Sequence, residues 1–308
     1  MWDNSFAWNP QAFGGTEYMA KGWLERISDD MPKVKNYLAL VAPGINPPIY
    51  DFFNSGKQIL FWMHNDPSQY GADEQRFLST PQFAEKLKYI IVPSEYAKAR
   101  VIAKTTIPES KVYVIPNAIE SLNFEPGKFN NPKKIKIINT SNAERGLDVL
   151  INAVGLLDPK EFDFELDVFS RFNPAEHQGF SPDPRINFYG FSYKPTVVKH
   201  YEAAHIHAYP STYLETFCIS QVEAMSAGLL CVTSDRGALP EVSSGFTNIY
   251  EYSNDPIEHA KVFAKHITSA IDTIKSGKWN PQEQIDYINN KYSWSAVKQQ
   301  WLKLHELL

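Results

Sequence analysis

The sequence predicts an α/β protein of two open, doubly wound parallel sheets facing a cleft, and three observations carry that prediction. Short runs rich in Val, Ile, Phe and Tyr recur along the 308 residues, many apolar on successive positions rather than alternating. Runs of that kind suit strands covered on both faces, as in parallel sheets. Helical patterns separate them through short connections, the β–α alternation of a doubly wound sheet. A polar break, "NFEPGKFNNPKK" at 123–134, divides the runs into two series.

The first series places strands at 36–42, 58–64, 88–94 and 111–117; the second at 134–141, 164–170, 186–191, 205–211 and 229–235. Helices are expected at about 15–28, 95–106, 146–157, 194–204, 216–227, 257–276 and 294–307. Residues 1–128 form the first Rossmann-like domain, 129–290 the second, and 291–308 a terminal helix. In that helix Trp294, Val297, Trp301, Leu302 and Leu304 make one apolar stripe, with Ser293 as N-cap. Ligands in such sheets bind beyond the carboxyl ends of the strands, so strand-end residues carry the functional reading.

Composition narrows the function classes. Net charge is −5 and the pI about 5.9, which argues against a protein whose task is gripping nucleic acid phosphates. No apolar run nears the roughly 18 residues of a membrane span. The opening "MWDNSFAWNPQAFGG" lacks the basic start and apolar centre of a signal peptide. Cys218 and Cys231 sit in apolar surroundings and read as buried thiols, with neither a disulfide framework nor a metal site. A cytoplasmic setting is expected.

The stretch "YPSTYLETFCISQVEAMSAG" at 209–228 holds Glu215 just before a helix and Glu223 within it. Gly228 marks the helix end. With the flanking strands, 205–235 is one βαβ unit. Backbone N–H groups around Thr216, Phe217 and Cys218 would lie at the helix start, where unpaired donors and the dipole favour an anion such as a pyrophosphate. Glu223 lies about 12 Å farther along the axis. Carboxylates accept vicinal hydroxyls, so the two acids suit the two ends of a nucleotide sugar. The plainer reading has Glu215 as an exposed loop residue and Glu223 as a solvated helix residue. No G-x-G-x-x-G follows a strand, and no convincing Asp-x-Asp ends one.

The run "PSTYLETFCISQVEAMSAGLLCVTSDRGALPE" resembles the E-x7-E signature of glycosyltransferase family 4, retaining enzymes of GT-B fold, through Pro210, Ser211, Glu215, Phe217, Glu223, Ala224, Gly228, Pro240 and Glu241. "NAERGLDVLINAV", "INFYGFSYKPTVVKHYEAA", "VIPNAIE", "YSWSAV", "FGGTE" and "FWMHNDP" resemble further pieces of that family, so the resemblance covers nearly the whole chain. It implies that Glu223 holds the donor's ribose. It gives Glu215 the donor sugar, with the N–H groups of Thr216 and Phe217 in support. Arg145 matches the residue that neutralises the leaving diphosphate; a cation at a helix start otherwise opposes the dipole. Ser141 and Asn142 are expected to donate to the same phosphates, and His64 to stand beside the reacting sugar. Gly14 and Gly15 would admit the diphosphate close to the backbone, or form an ordinary tight turn. Gly190 matches the glycine of "V-x-F-x-G" and joins the donor set. The helix 291–308 would cross back to the first domain.

Three features depart from the family pattern. "NTSN" stands where an Arg is common, and Arg171 or Arg236 would substitute. Ala118 replaces a Gly. No apolar strand precedes "FGGTE", which makes the first domain look shortened. The implied function is retaining, metal-independent transfer of a hexose-type sugar from a UDP- or GDP-sugar to a glycan or lipid-linked hydroxyl, without cofactor. The alternatives are a nucleotide-sugar epimerase of the same fold and a non-catalytic nucleotide-sugar-binding relic. Basic residues over 98–111 are scattered and form no amphipathic basic helix, which leaves peripheral membrane contact open.

Overall fold

The computed structural model describes residues 14–30, 37–42, 58–176 and 181–307. The region before "FGGTE", where the sequence shows no apolar strand, lies outside them. The chain forms two compact units: Met1–Ala118 with Glu215–Ile219 and Tyr292–Leu308, and Ile119–Leu214 with Ser220–Lys291.

The first unit contains α1 (Gly15–Arg26), β1 (Tyr37–Ala42), β2 (Gln58–Met63), α2 (Ala72–Leu78), α3 (Pro81–Lys86), β3 (Leu87–Val92), α4 (Glu95–Lys104) and β4 (Val112–Val114). Its strands pair in parallel in the order β1-β2-β3-β4. The successive apolar residues of β2 and β3 serve two cores. Ile59, Phe61, Met63, Ile90 and Val92 face one core with Leu78, Phe83, Ala97 and Val101. Leu60, Trp62 and Ile91 face the other, with Met19, Trp23 and Ile27 of the α1 side and Trp294, Val297, Trp301 and Leu304 of the last helix. Burial on both faces is why these strands read as unbroken apolar runs.

The second unit contains β5 (Ile135–Asn139), α5 (Leu147–Gly155), β6 (Phe164–Val168), β7 (Ile186–Phe188), α6 (Lys194–Ala203), β8 (Ile206–Tyr209), α7 (Ile219–Ser226), β9 (Leu230–Ser234), α8 (Leu239–Ser243), β10 (Asn248–Tyr250), α9 (Pro256–Lys275) and α10 (Gln282–Tyr292). The parallel order β10-β9-β8-β5-β6-β7 reverses direction between β5 and β8. Asp255 caps α9 by accepting from the Ile257 and Glu258 amides. Ala260, Phe263, Ala264, Ile267, Ile271 and Ile274 form its buried stripe, packed with Leu150, Val154, Ile137 and Leu166.

Several expectations change. The division falls after Ala118, not at 128. Residues 119–134, polar as they are, fasten to the second unit: the Leu122 amide donates to Ser226 Oγ, and Lys128 Nζ donates to the carbonyls of Ala227 and Glu202 at 2.8 and 3.2 Å. The helix expected from 216 begins at Ile219, because Cys218 takes φ +78° just ahead of it. Helices α2, α3, α8 and α10 and strand β10 were not anticipated; four are short, and α10 offers only Ile285, Ile288 and Tyr292 as a buried stripe. The helix at the chain end, α11 (Trp294–His305), belongs to the first unit and is capped by Ser293.

Candidate active site

In the second unit the carboxyl ends of β5 and β8 lie at the reversal of strand order, the place where open α/β sheets bind ligands. The loops leaving those strands are held together by a backbone contact. Gly146, after the turn Ala143–Arg145, adopts φ +108°, and a Cβ there would stand 2.1 Å from the Pro210 carbonyl oxygen. Only glycine satisfies both demands. The closure brings the half-buried Arg145 guanidinium 4.2 Å from the Tyr213 ring centroid, a cation–π contact that orients it. Below it, Asn139 is buried and donates to the Ala208 carbonyl at 2.7 Å, joining β5 to β8, while Ser141 Oγ donates to Asn139 Oδ1 at 3.2 Å. Asn142 is exposed at the start of the turn.

Neither acid is solvated: Glu215 is 5% and Glu223 3% exposed. Glu223 sits on α7, whose residues from Gln221 to Ser226 are all buried. Its Oε1 accepts from Lys194 Nζ, at the first position of α6. The plainer alternative of two surface glutamates is therefore corrected.

The segment Glu215–Ile219 belongs to the first unit and is stitched there. The Thr216 hydroxyl donates to the His64 carbonyl, one residue past β2. Ser94 Oγ, buried past β3, donates to the Thr216 carbonyl at 2.6 Å and accepts from the Ala97 amide. The Phe217 ring meets Tyr292 edge-on at 5.3 Å. A Cβ on Gly15 would lie 3.3 Å from Ile219 Cδ1, while the Gly14 amide donates to Glu17 at the exposed start of α1. His64 is buried, 4.7 Å from Trp62, and its Nε2 has no partner among the described residues. Burial lowers its pKa to about 3, so the ring is neutral. The loop after it is pinned by buried Asp66, which accepts from Arg100 Nε at 2.5 Å and Nη2 at 3.1 Å. Burial alone would raise the Asp66 carboxyl; the hydrogen bonds from Arg100 and Ser68 outweigh it and hold it low.

The structure thus gathers Gly14, Gly15, His64 and Glu215–Phe217 in the first unit, and Ser141, Asn142 and Arg145 in the second. Arg171 and Gly190 lie beyond the ends of β6 and β7. Arg171 is exposed, 5.6 Å from the Phe191 ring, and Gly190 takes φ +65° in open space. Arg236 donates to the Thr212 carbonyl at 3.4 Å and lies 4.1 Å over Tyr252. Among the described residues no three of His, Cys, Asp and Glu converge as metal ligands. Sequence reasoning missed Lys194, Tyr213, Ser94, Asp66 and Arg100. Lys194 at a helix start, unfavourable by the dipole argument used for Arg145, was the one readable signal.

The stretch that matches a known family model spans most of the second unit. Residues 134–271 match the family model described as Glycosyl transferases group 1. The glycosyltransferase match runs from the start of the second unit's sheet through most of α9. One component of the phosphatidylinositol N-acetylglucosaminyltransferase of Homo sapiens is 24% identical over 232 residues, 71% of this chain and 46% of that protein. An uncharacterized glycosyltransferase of Methanocaldococcus jannaschii is 26% identical over 248 residues, 71% of this chain and 60% of that protein. The chain spans about half the length of these relatives. Among solved structures, HepE of Anabaena in complex with UDP-glucose superposes with a TM-score of 0.69 at 14% identity, covering 89% of this chain and 79% of that one. The fold is GT-B, as expected. No helix of the described residues is long and apolar enough to cross a membrane.

Proposed function

We propose that this protein is a retaining glycosyltransferase that moves a hexose-type sugar from a nucleoside diphosphate sugar to an acceptor hydroxyl. The group 1 glycosyltransferase match, the relatives and the GT-B fold support transfer from a sugar nucleotide. The observation that carries the residue assignment is the burial of both glutamates, 5% and 3% exposed. Buried carboxylates are costly unless paired, and acids so placed suit hydroxyl recognition better than solvation.

In this reading Glu223 accepts from the ribose diol. Arg145 faces the diphosphate, with Ser141 and Asn142 donating beside it; Arg171 and Gly190 complete the donor-binding set. Glu215 accepts from the donor sugar's hydroxyls, supported by the Thr216 and Phe217 amides, and neutral His64 offers Nε2 to the same sugar. Gly14 and Gly15 belong to the same proposed donor-binding set. The bond from the anomeric carbon to the diphosphate oxygen breaks as one to the acceptor oxygen forms. The acceptor proton passes to the leaving phosphate. Charge that builds on the leaving group is stabilised by Arg145 and backbone donors, with no metal assigned a role.

HepE was solved with UDP-glucose, which makes a UDP-sugar the first donor to test. The human relative is named for phosphatidylinositol and N-acetylglucosamine, so a lipid-linked or glycan hydroxyl is the proposed acceptor. The test is a thermal-shift screen with UDP, GDP and ADP, followed by nucleotide release from the matching sugars. One nucleotide should raise the melting temperature by mass action, and its sugar should release it. No shift and no release from any would overturn the reading; binding without release would leave only the relic.

A further inference from the structure

We infer that Lys194 is a positioning residue for nucleotide recognition, holding the Glu223 carboxylate turned for the ribose diol. The inference rests on the nucleotide-binding reading above and extends it to a residue that reading does not use.

The geometry is specific. Glu223 is buried on α7 and Lys194 opens α6, 29 residues earlier. Lys194 Nζ donates to Glu223 Oε1. The Lys194 side chain stays 39% exposed, whereas the Glu223 side chain is 4% exposed. A carboxylate so deeply buried is costly unless it is paired. Lys194 removes that penalty from one side. A carboxylate presents about four acceptor positions, so one ammonium on Oε1 leaves capacity for a diol.

The placement of the lysine points the same way. The first turn of a helix disfavours a cation, and α6 has no side-chain N-cap to soften that. Glu223 supplies the compensation.

The test compares UDP, GDP and ADP with their 2′-deoxy forms by calorimetry on the full chain, using wild type, Glu223→Gln, Lys194→Met and Lys194→Arg. In wild type the tightest nucleotide should bind about tenfold better than its 2′-deoxy form, as expected for a hydrogen bond to a charged group. Lys194→Met should bring that ratio close to one, as Glu223→Gln does, and Lys194→Arg should keep most of it. A structural role alone would lower the melting temperature and leave the ratio unchanged. If Glu223→Gln abolishes discrimination while Lys194→Met preserves it, the inference falls and the ribose assignment stands. If wild type shows no discrimination, or binds none of the three, the reading beneath it falls as well.

Discussion

At the residue scale, Thr216 and two buried histidines give the sharpest expectations. The Thr216 hydroxyl satisfies the His64 carbonyl, and both groups are buried. Thr216→Val keeps the shape but strands that carbonyl, which should cost about 1–3 kcal/mol in a denaturant titration. It should also slow nucleotide release, because His64 loses its tether; full activity with unchanged stability would contradict this. His207 lies in β8 between Tyr201 and Tyr209, with no partner for either ring nitrogen among the described residues. Burial lowers its pKa from 6.5 to about 3, as for His64. His205, His259 and His266 shift in the same direction, chiefly by burial. The unfolded chain therefore takes up protons that the folded chain refuses. The stability carried by these neutral rings is complete above pH 6.5 and drains as pH falls toward 3. Melting temperature should decline across that window, and His207→Leu should flatten the decline. A pH-independent melting temperature in wild type would contradict it.

At the scale of elements, two glycines hold helices in place. A Cβ at Gly22 of α1 would fall 2.1 Å from Trp294 Cζ2, so Gly22→Ala must push the indole and α11 away. Overpacking of that kind costs about 1–3 kcal/mol, read as a lower melting temperature and faster amide exchange over 294–305. Gly146→Ala meets a backbone oxygen and a left-handed φ together. Its backbone strain alone is about 1–3 kcal/mol, and the parted loops should abolish nucleotide release even where the fold survives. The strands at 58–63, 135–139, 164–168 and 230–234 were legible because each is buried on successive residues, a pattern that survives in one dimension. The start of α7 was not, because Cys218 rather than glycine takes the positive φ. Ser94 and Thr216 are 122 residues apart, and Glu223 shows no local sign of its lysine; pairings of that kind are made by the fold. The acids themselves were legible as a spacing, but their burial was not. Nothing in the sequence around Gly22 announces the tryptophan it must admit.

At the scale of the whole molecule, the deciding fact is where a sugar nucleotide sits. The first unit carries His64 and the stitched segment 215–219; the second carries the strand reversal, Arg145 and the Lys194–Glu223 pair. Glu215→Gln should lower nucleotide release at saturating sugar nucleotide, whereas Glu223→Gln should act chiefly by raising KM about tenfold, as expected for a lost hydrogen bond to a charged group. The most direct measurement is a crystal structure of the full chain with the nucleoside diphosphate that best raises its melting temperature. The diphosphate should lie within about 3 Å of Arg145 at the ends of β5 and β8, and the ribose diol on Glu223 with Lys194 still attached to that carboxylate. A nucleotide bound anywhere else, or a ribose turned away from Glu223, would contradict it.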